Sequence, residues 1–377
     1  MKIVSVMTTE SRGGAEFAAI EMLDALLDAG HDTVMVANDP DIGRDRRVRV
    51  ALLDIGPKLS TRTYVSLAAR VPRLVRAMRR ALEREWPYDV LLLHYKKEQL
   101  LALFLPRRLR RGLVWAEWGP VPFPLRRGIP RRLYLAAAKQ ARVVFAISAG
   151  TKRSLVDVGV PADKIHVVRN VFRTDEIGFS AEGRQRVRER LGIPADAFVV
   201  GCISRFHPKK RNDVVVEAVV ALEDPAVHLI LGGDGEMEDE LRRLGAPLGE
   251  RLHVIPTPGG DVGDVLSAFD VSIFCPSPTE GAPRAVILGM LAGRPCIATG
   301  AEGVDDIIEE SFGVILAPEN DPHALAEVLR GYRADPQRVE REGLAARAAA
   351  ESTYAAPVVT AHITRLLAPL DQKGEPA

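Results

Sequence analysis

The chain has 377 residues, 47% hydrophobic and 27% charged, with a formal net charge of +1. At about 150 residues per domain this length holds two or three packed domains, which excludes a small disulfide-stapled scaffold. Cys202, Cys275 and Cys296 are widely spaced in or beside apolar runs, as reduced core thiols are, which implies a cytosolic compartment; no run of about 18 apolar residues is present to span a bilayer.

The opening Met1–Met7 is too short an apolar run for a secretory signal and reads as a strand. Further strands are predicted near Asp32–Ala37, Val48–Leu53, Val90–His94, Leu113–Glu117, Val143–Ile147 and His166–Val168, with helices between them. Ile20, Leu23, Leu26 and Leu27 form the apolar stripe of the first helix, which Gly30 closes. Short β-branched runs alternating with helical patterns predict a parallel sheet covered on both faces. Between the first strand and helix lies Thr8-Thr-Glu-Ser-Arg-Gly13-Gly14-Ala-Glu16. Paired glycines there either leave amides free for a phosphate or simply make a tight turn. No complete Gly-x-Gly-x-x-Gly follows this strand, which disfavours NAD.

His94 ends a strand, where a histidine serves either a cleft or the core. Glu117 and Trp118 end the next; a carboxylate there either orients an acceptor hydroxyl as a base or pairs with a nearby arginine. Arginines recur at 70, 73, 76, 79 and 80, at 107, 108, 110 and 111, and at 126, 127, 131 and 132. The first group shares a predicted helix with Leu67, Val71, Leu74, Val75 and Met78. That pattern suits anionic lipid headgroups or a phosphorylated acceptor, or else a solvated surface. Nucleic acid is disfavoured, because few aromatics interleave with the basic residues. Up to Arg173 the chain has 31 Lys+Arg against 17 Asp+Glu, a charge of +14, and the remainder carries −13.

Residues 173–197 lose this regularity and are expected to be an interdomain linker with a flanking helix. They divide an N-terminal domain, 1–172, from a C-terminal domain, 198–352; a helix and frayed tail at 353–377 follow, the helix being able to cross back to the first domain. The second half repeats the architecture, with strands at Val199–Ile203, Leu229–Leu231, Leu252–Ile255, Val271–Phe274, Cys296–Ala298 and Val314–Leu316. A short basic loop, Arg205-Phe-His-Pro-Lys-Lys210, follows the first of these strands, and a Gly233-Asp234-Gly235 turn follows the second. After Val271–Phe274 come Pro276, Ser277, Pro278, Glu280, Gly281, Ala282 and Pro283, then a helix closed by Gly293. In a parallel sheet this places Glu280 and the helix's free amides at the carboxyl end of the strand, where ligands bind.

In order and spacing these segments resemble the family 4 (group 1) glycosyltransferases across nearly the whole chain. The resemblance implies an α/β GT-B fold, two Rossmann-like domains with parallel sheets facing across a cleft. It implies transfer of a sugar from a nucleotide-diphosphate donor to an acceptor hydroxyl, with retention of configuration, by a cytoplasmic enzyme; the arginine pattern of the basic N-terminal domain leaves peripheral contact with the inner membrane face open. By the same resemblance Arg205 and Lys210 neutralise the departing diphosphate, and Glu280 contacts the donor sugar. Gly13, Gly14, Gly233, Asp234, Gly235, Ser277, Gly281, Ala282 and Pro283 line the donor. Glu117 is a catalytic candidate, while Glu16, His94 and Trp118 lie on the acceptor side, Glu117 or Trp118 standing where the family usually has a histidine. No metal and no cofactor are expected, since the two cations do the electrostatic work and no Asp-x-Asp motif stands where a donor would sit. UDP is slightly preferred as the donor base from its frequency in the family. The acceptor is a glycan, glycolipid or small molecule that can be anionic.

The chain departs from the family at two points. Leu288 stands eight residues after Glu280, where a second glutamate usually binds the ribose hydroxyls, and Asn170-Val171 replaces Asn-Gly. A leucine cannot accept a hydrogen bond, and an unpaired buried diol costs about 1–3 kcal/mol. Two alternatives therefore stand beside the enzyme, a binding protein that has lost catalysis and a sugar-nucleotide epimerase of the same fold.

Overall fold

The computed structural model describes residues 1–9, 13–44, 46–56, 64–257, 259–277, 282–301 and 303–370, with the backbone alone for 64–69. The chain divides into two compact units, one of residues 1–172 with the chain from Ala356 onward, the other of residues 173–355.

The first unit is built on seven parallel strands: β1 (Lys2–Met7), β2 (Asp32–Ala37), β3 (Arg49–Leu52), β4 (Val90–Leu93), β5 (Leu113–Glu117), β6 (Val143–Ala146) and β7 (Ile165–Val167). Their order is β3-β2-β1-β4-β5-β6-β7. The inner strands are apolar on both faces because helices cover both, and β4 is buried throughout. Helix Gly14–Asp28 buries Ile20, Leu23 and Leu26 on one face. Helix Ala356–Leu367 packs beside it through Val359, Ile363 and Leu367, in one cluster with Ile3 and Met35. The His31 ring lies 2.9 Å from the Thr364 hydroxyl, and the Ala356 amide donates to the Phe172 carbonyl at 2.9 Å. The other face holds helix Tyr64–Glu85, which buries Leu74, Met78 and Leu82 and leaves Arg70, Arg73, Arg76, Arg79 and Arg80 exposed.

The second unit is built on six parallel strands: β8 (Phe198–Ile203), β9 (Val227–Gly232), β10 (Leu252–Ile255), β11 (Val271–Phe274), β12 (Cys296–Thr299) and β13 (Gly313–Leu316). The order is β10-β9-β8-β11-β12-β13. The segment 173–197 belongs to this unit. Its helix, Ala181–Arg190, lies against helix Val262–Ala268 at Gly183, where a β-carbon would run into Asp264. Arg184 Nη1 donates to the carbonyls of Ser267 and Phe269, which ties the segment into the sheet. Glycines signal irregular backbone in sequence, but Gly183 serves close helix packing.

Candidate functional site

In the second unit three loops meet at the carboxyl edge of the sheet. The first follows β8 and turns at Pro208–Lys210, where the His207 ring accepts from the Lys209 amide at 3.1 Å. Buried Asn212, first residue of the next helix, accepts from Ser204 Oγ at 2.8 Å and donates to the Arg205 carbonyl at 3.4 Å. The loop is thereby fixed while its side chains stay outside. Arg205 is exposed, and its guanidinium has no partner among the described residues. Lys210 Nζ lies 5.0 Å from the centre of the Phe274 ring, at the end of β11.

The second loop follows β9. Its glycines answer to close backbone approach: at Gly233 a β-carbon would lie 2.9 Å from Phe206 Cε1, and at Gly235, with φ +147°, it would collide with the Phe206 carbonyl. Backbone bonds join the first two loops, Phe206 N–H to Asp234 O at 2.8 Å and Met237 N–H to Phe206 O at 3.1 Å. Exposed Asp234 accepts from the Thr257 hydroxyl at 2.5 Å. The third loop follows β11: the Ser277 amide donates to the Lys209 carbonyl at 2.8 Å, and the Thr299 hydroxyl holds the Pro276 carbonyl at 2.9 Å. Pro283 is the N-cap of helix Arg284–Leu291, with no side chain capping the first amides. Arg205, Lys210, Gly233, Asp234, Gly235 and Ser277 thus stand on interlocked loops, with Ala282 and Pro283 where the chain re-enters a helix. Glu280 and Gly281 lie outside the described residues. Leu288 is half-buried against the apolar cluster of Phe269, Leu266 and Val265.

The first unit brings its own candidates to the carboxyl edge of its sheet. Gly13 caps helix Gly14–Asp28, and a β-carbon there would lie 3.3 Å from Glu16 Oε2. Glu16 is buried and accepts from the Tyr95 hydroxyl. His94 is buried, with Nε2 2.6 Å from Ser5 Oγ and Nδ1 accepting from Trp118 Nε1 at 3.1 Å. Since Nδ1 accepts, the neutral ring carries its proton on Nε2 and donates to Ser5. Burial pushes the His94 imidazole down to about 3, so it stays uncharged at physiological pH. Trp118 stacks on it with ring centres 5.7 Å apart.

Glu117 is not a free carboxylate. Lys96 Nζ binds Oε2, while Oε1 accepts from Gln99 Nε2 at 3.0 Å and from the Tyr134 hydroxyl at 3.3 Å. Its partner is a buried lysine from the neighbouring strand-helix turn rather than one of the nearby arginines. Burial pushes the Lys96 ammonium down and Glu117 pulls it back up. Lys96, Gln99 and Tyr134 escape sequence reasoning because they gain a role only when β4 and β5 lie side by side. Glu98 is also fully buried, accepting from the Thr8 amide at 3.0 Å and the Thr8 hydroxyl, and burial raises its carboxyl. A polar run, Lys96-Lys97-Glu98-Gln99, directly after an apolar strand was the available signal. Among the described residues no group of three or more His, Cys, Asp or Glu side chains is placed to hold a metal ion, and no helix is long and apolar enough to cross a membrane. Burial raises the thiols of Cys202, Cys275 and Cys296, which makes them inert core residues.

Two family models match the chain: one described as Glycosyltransferase Family 4 over residues 12–176, and one described as Glycosyl transferases group 1 over residues 197–335. A D-inositol 3-phosphate glycosyltransferase of Xylanimonas cellulosilytica is 29% identical over 61% of this chain and 57% of its own length. A GDP-mannose-dependent alpha-(1-6)-phosphatidylinositol monomannoside mannosyltransferase of Mycolicibacterium smegmatis is 26% identical over 64% of this chain and 65% of its own. The chain spans about half the length of the curated relatives it matches. Among solved structures, Anabaena HepE in complex with UDP-glucose superposes with a TM-score of 0.81 at 23% identity, covering 98% of this chain and 100% of that one. WaaG, a glycosyltransferase involved in lipopolysaccharide biosynthesis, gives 0.70 at 15% identity over 97% and 99%. At such identities the likeness is one of fold.

Proposed function

The chain belongs to the group 1, family 4 glycosyltransferases and has their two-domain GT-B fold, and from that premise we propose that it transfers a hexosyl group from a nucleotide-diphosphate sugar to an acceptor hydroxyl. The observation that carries this reading is the interlocking of the Arg205–Lys210 loop with the Gly233–Gly235 turn and with Ser277 at one sheet edge. Two cations and close-approach glycines there suit a pyrophosphate flanked by a nucleotide. As the bond to the sugar breaks, negative charge grows on the leaving diphosphate, and fixed cations stabilise that state more than the bound substrate. In this reading Glu280 and Ser277 hold the hexose, and the amides preceding helix Arg284–Leu291 help hold the phosphates. Metal is not needed for charge neutralisation, and the sugar keeps its anomeric configuration.

The acceptor side falls to Glu16, with Trp118 and His94 as a rigid uncharged platform, while Gly13 and Gly14 stay with the donor. The surplus of basic residues up to Arg173 favours an acceptor bearing phosphate, as the names of the inositol phosphate relatives suggest, and the same charge suits contact with an anionic membrane surface. UDP is the preferred base. With Leu288 half-buried in an apolar cluster, the ribose diol is left to water or another side chain. Purified protein incubated with UDP-, GDP-, ADP- and TDP-sugars and inositol phosphate should release nucleoside diphosphate with one of them. Arg205→Ala should lower kcat/KM by about 10²–10³-fold, the usual scale for losing one charge-stabilising donor. Donor binding without hydrolysis or transfer would make the chain a binding protein, and conversion of the sugar nucleotide without acceptor would make it an epimerase.

A further inference from the structure

The second sheet has another edge with charge of its own. Phe198 opens β8, Asp270 precedes β11, and Gly293 and Arg294 precede β12, so these residues gather at the amino-terminal edge. The six residues of β8 put roughly 20 Å between them and Arg205. Here lies a cavity of about 510 Å³, lined by Phe179, Arg184, Asp270, Arg294, Leu344 and Arg347 among others. Helix Pro336–Tyr354 forms one wall and is held close by Gly343, where a β-carbon would collide with the Gly293 carbonyl.

On the cavity wall Asp270 pairs with Arg184 and, beneath the lining, with Arg188, and Arg294 stands beside them. Asp270 accepts from Arg184 Nη2 at 2.6 Å, from Arg188 Nη2 at 2.9 Å and from the Val199 amide at 2.7 Å. Arg294 reaches only carbonyls, Ala292 O and Phe269 O, both at 3.1 Å, and its Nη2 has no partner among the described residues. Burial, then repulsion from Arg184, pushes the Arg294 guanidinium down to about 10. The other carboxylates lining the cavity, Asp196 and Glu340, are exposed and solvated. Arg184 and Arg294 are partly buried, and a surplus of positive charge withdrawn from water is unfavourable until an anion offsets it. Beside it stand large apolar groups that the fold leaves uncovered: Phe179, under the Arg294 guanidinium at 4.6 Å, is 46% exposed, and Leu344 is 65% exposed.

We propose that this cavity binds a small amphipathic anion, its carboxylate or phosphate head on Arg294 and Arg184 and its apolar body against Phe179 and Leu344. The site is separate from the donor loops, so the proposal stands or falls independently of the transfer assay. Calorimetric titration of the full chain with octyl phosphate and octanoate, each below its micellar concentration, and with inorganic phosphate tests it. One or both amphiphiles should bind saturably at one site, at least tenfold more tightly than inorganic phosphate, and the ratio between them identifies the preferred head group. Arg294→Gln should weaken that binding at least tenfold. Leu344→Asp, at an exposed position that folding tolerates, should do the same by placing like charge beside the anion. Absence of saturable binding, binding that both variants leave within twofold, or binding that is lost in Arg205→Ala instead would overturn the proposal.

Discussion

The Ser277 amide lies 2.8 Å from the Lys209 carbonyl, so the loop that leads toward Glu280 is tied by backbone to the turn carrying Lys210. Strand order makes this possible, because β8 and β11 are neighbours in the sheet. The tie depends on no side chain, and Lys210 can be replaced without untying the loops. Lys210→Met should therefore lower kcat/KM by about 10²–10³-fold, most of it in kcat. Unfolding free energy should change by less than about 1 kcal/mol. A large loss of stability with unchanged kinetics in the surviving fraction would assign Lys210 to packing against Phe274 instead.

Gly235 tests the close approach of the first two loops. At φ +147° with the Phe206 carbonyl in the way, an alanine must strain or displace the turn. Gly235→Ala should cost about 1–3 kcal/mol in urea unfolding and raise the apparent Kd of a nucleotide diphosphate. Gly192→Ala provides the comparison: its φ is +67° with nothing nearby, so a β-carbon meets strain but no neighbour, and nucleotide binding should be unaffected.

Glu117 and Lys96 make a buried pair whose breaking should be costly. Glu117→Gln leaves an ammonium buried against a neutral amide, and a loss of about 3 kcal/mol is expected. Combining it with Lys96→Met removes the stranded charge and should recover most of that loss. If the single variant unfolds as the wild type does but cannot transfer sugar, the carboxylate is a base and its role must be reassigned.

His94 gives a pH signature. The imidazole titrates near 6.5 in the unfolded chain and at about 3 in the fold. Above 6.5 both states are neutral and the group adds no pH dependence. As pH falls from 6.5 toward 3 the unfolded chain takes up a proton that the fold refuses, so stability declines, on the order of 5 kcal/mol across the window. The difference in unfolding free energy between wild type and His94→Gln, followed from pH 7.5 to 4, should show this slope. A pH-independent difference would mean that His94 is hydrated in solution.

Helix Ala356–Leu367 belongs to the first unit though it follows the second in the chain. Ile363 is fully buried among first-unit residues, and Ile363→Ala should cost about 2–5 kcal/mol. Hydrogen exchange should rise in helix Gly14–Asp28, not in the sheet of β8–β13.

Sequence alone determined what depends on neighbours along the chain. Runs such as Val90–Leu93 and Val271–Phe274 are apolar on both faces, so the strands and the parallel, helix-covered sheets were readable from them. The basic loop after β8, the glycine turn after β9 and the Pro-Ser loop after β11 follow strands whose carboxyl ends share one edge, and their grouping was readable too. Tertiary structure decided every partner that topology brings from afar. Glu117 meets Lys96 because β4 and β5 pair, His94 is silenced by burial beside Trp118, and segment 173–197 is packed into a domain by contacts with residues near 267. Asp270 is shared by arginines more than 80 positions away. Periodicity and turn chemistry act over a few residues, whereas desolvation and charge pairing depend on distance in space, which no local pattern encodes.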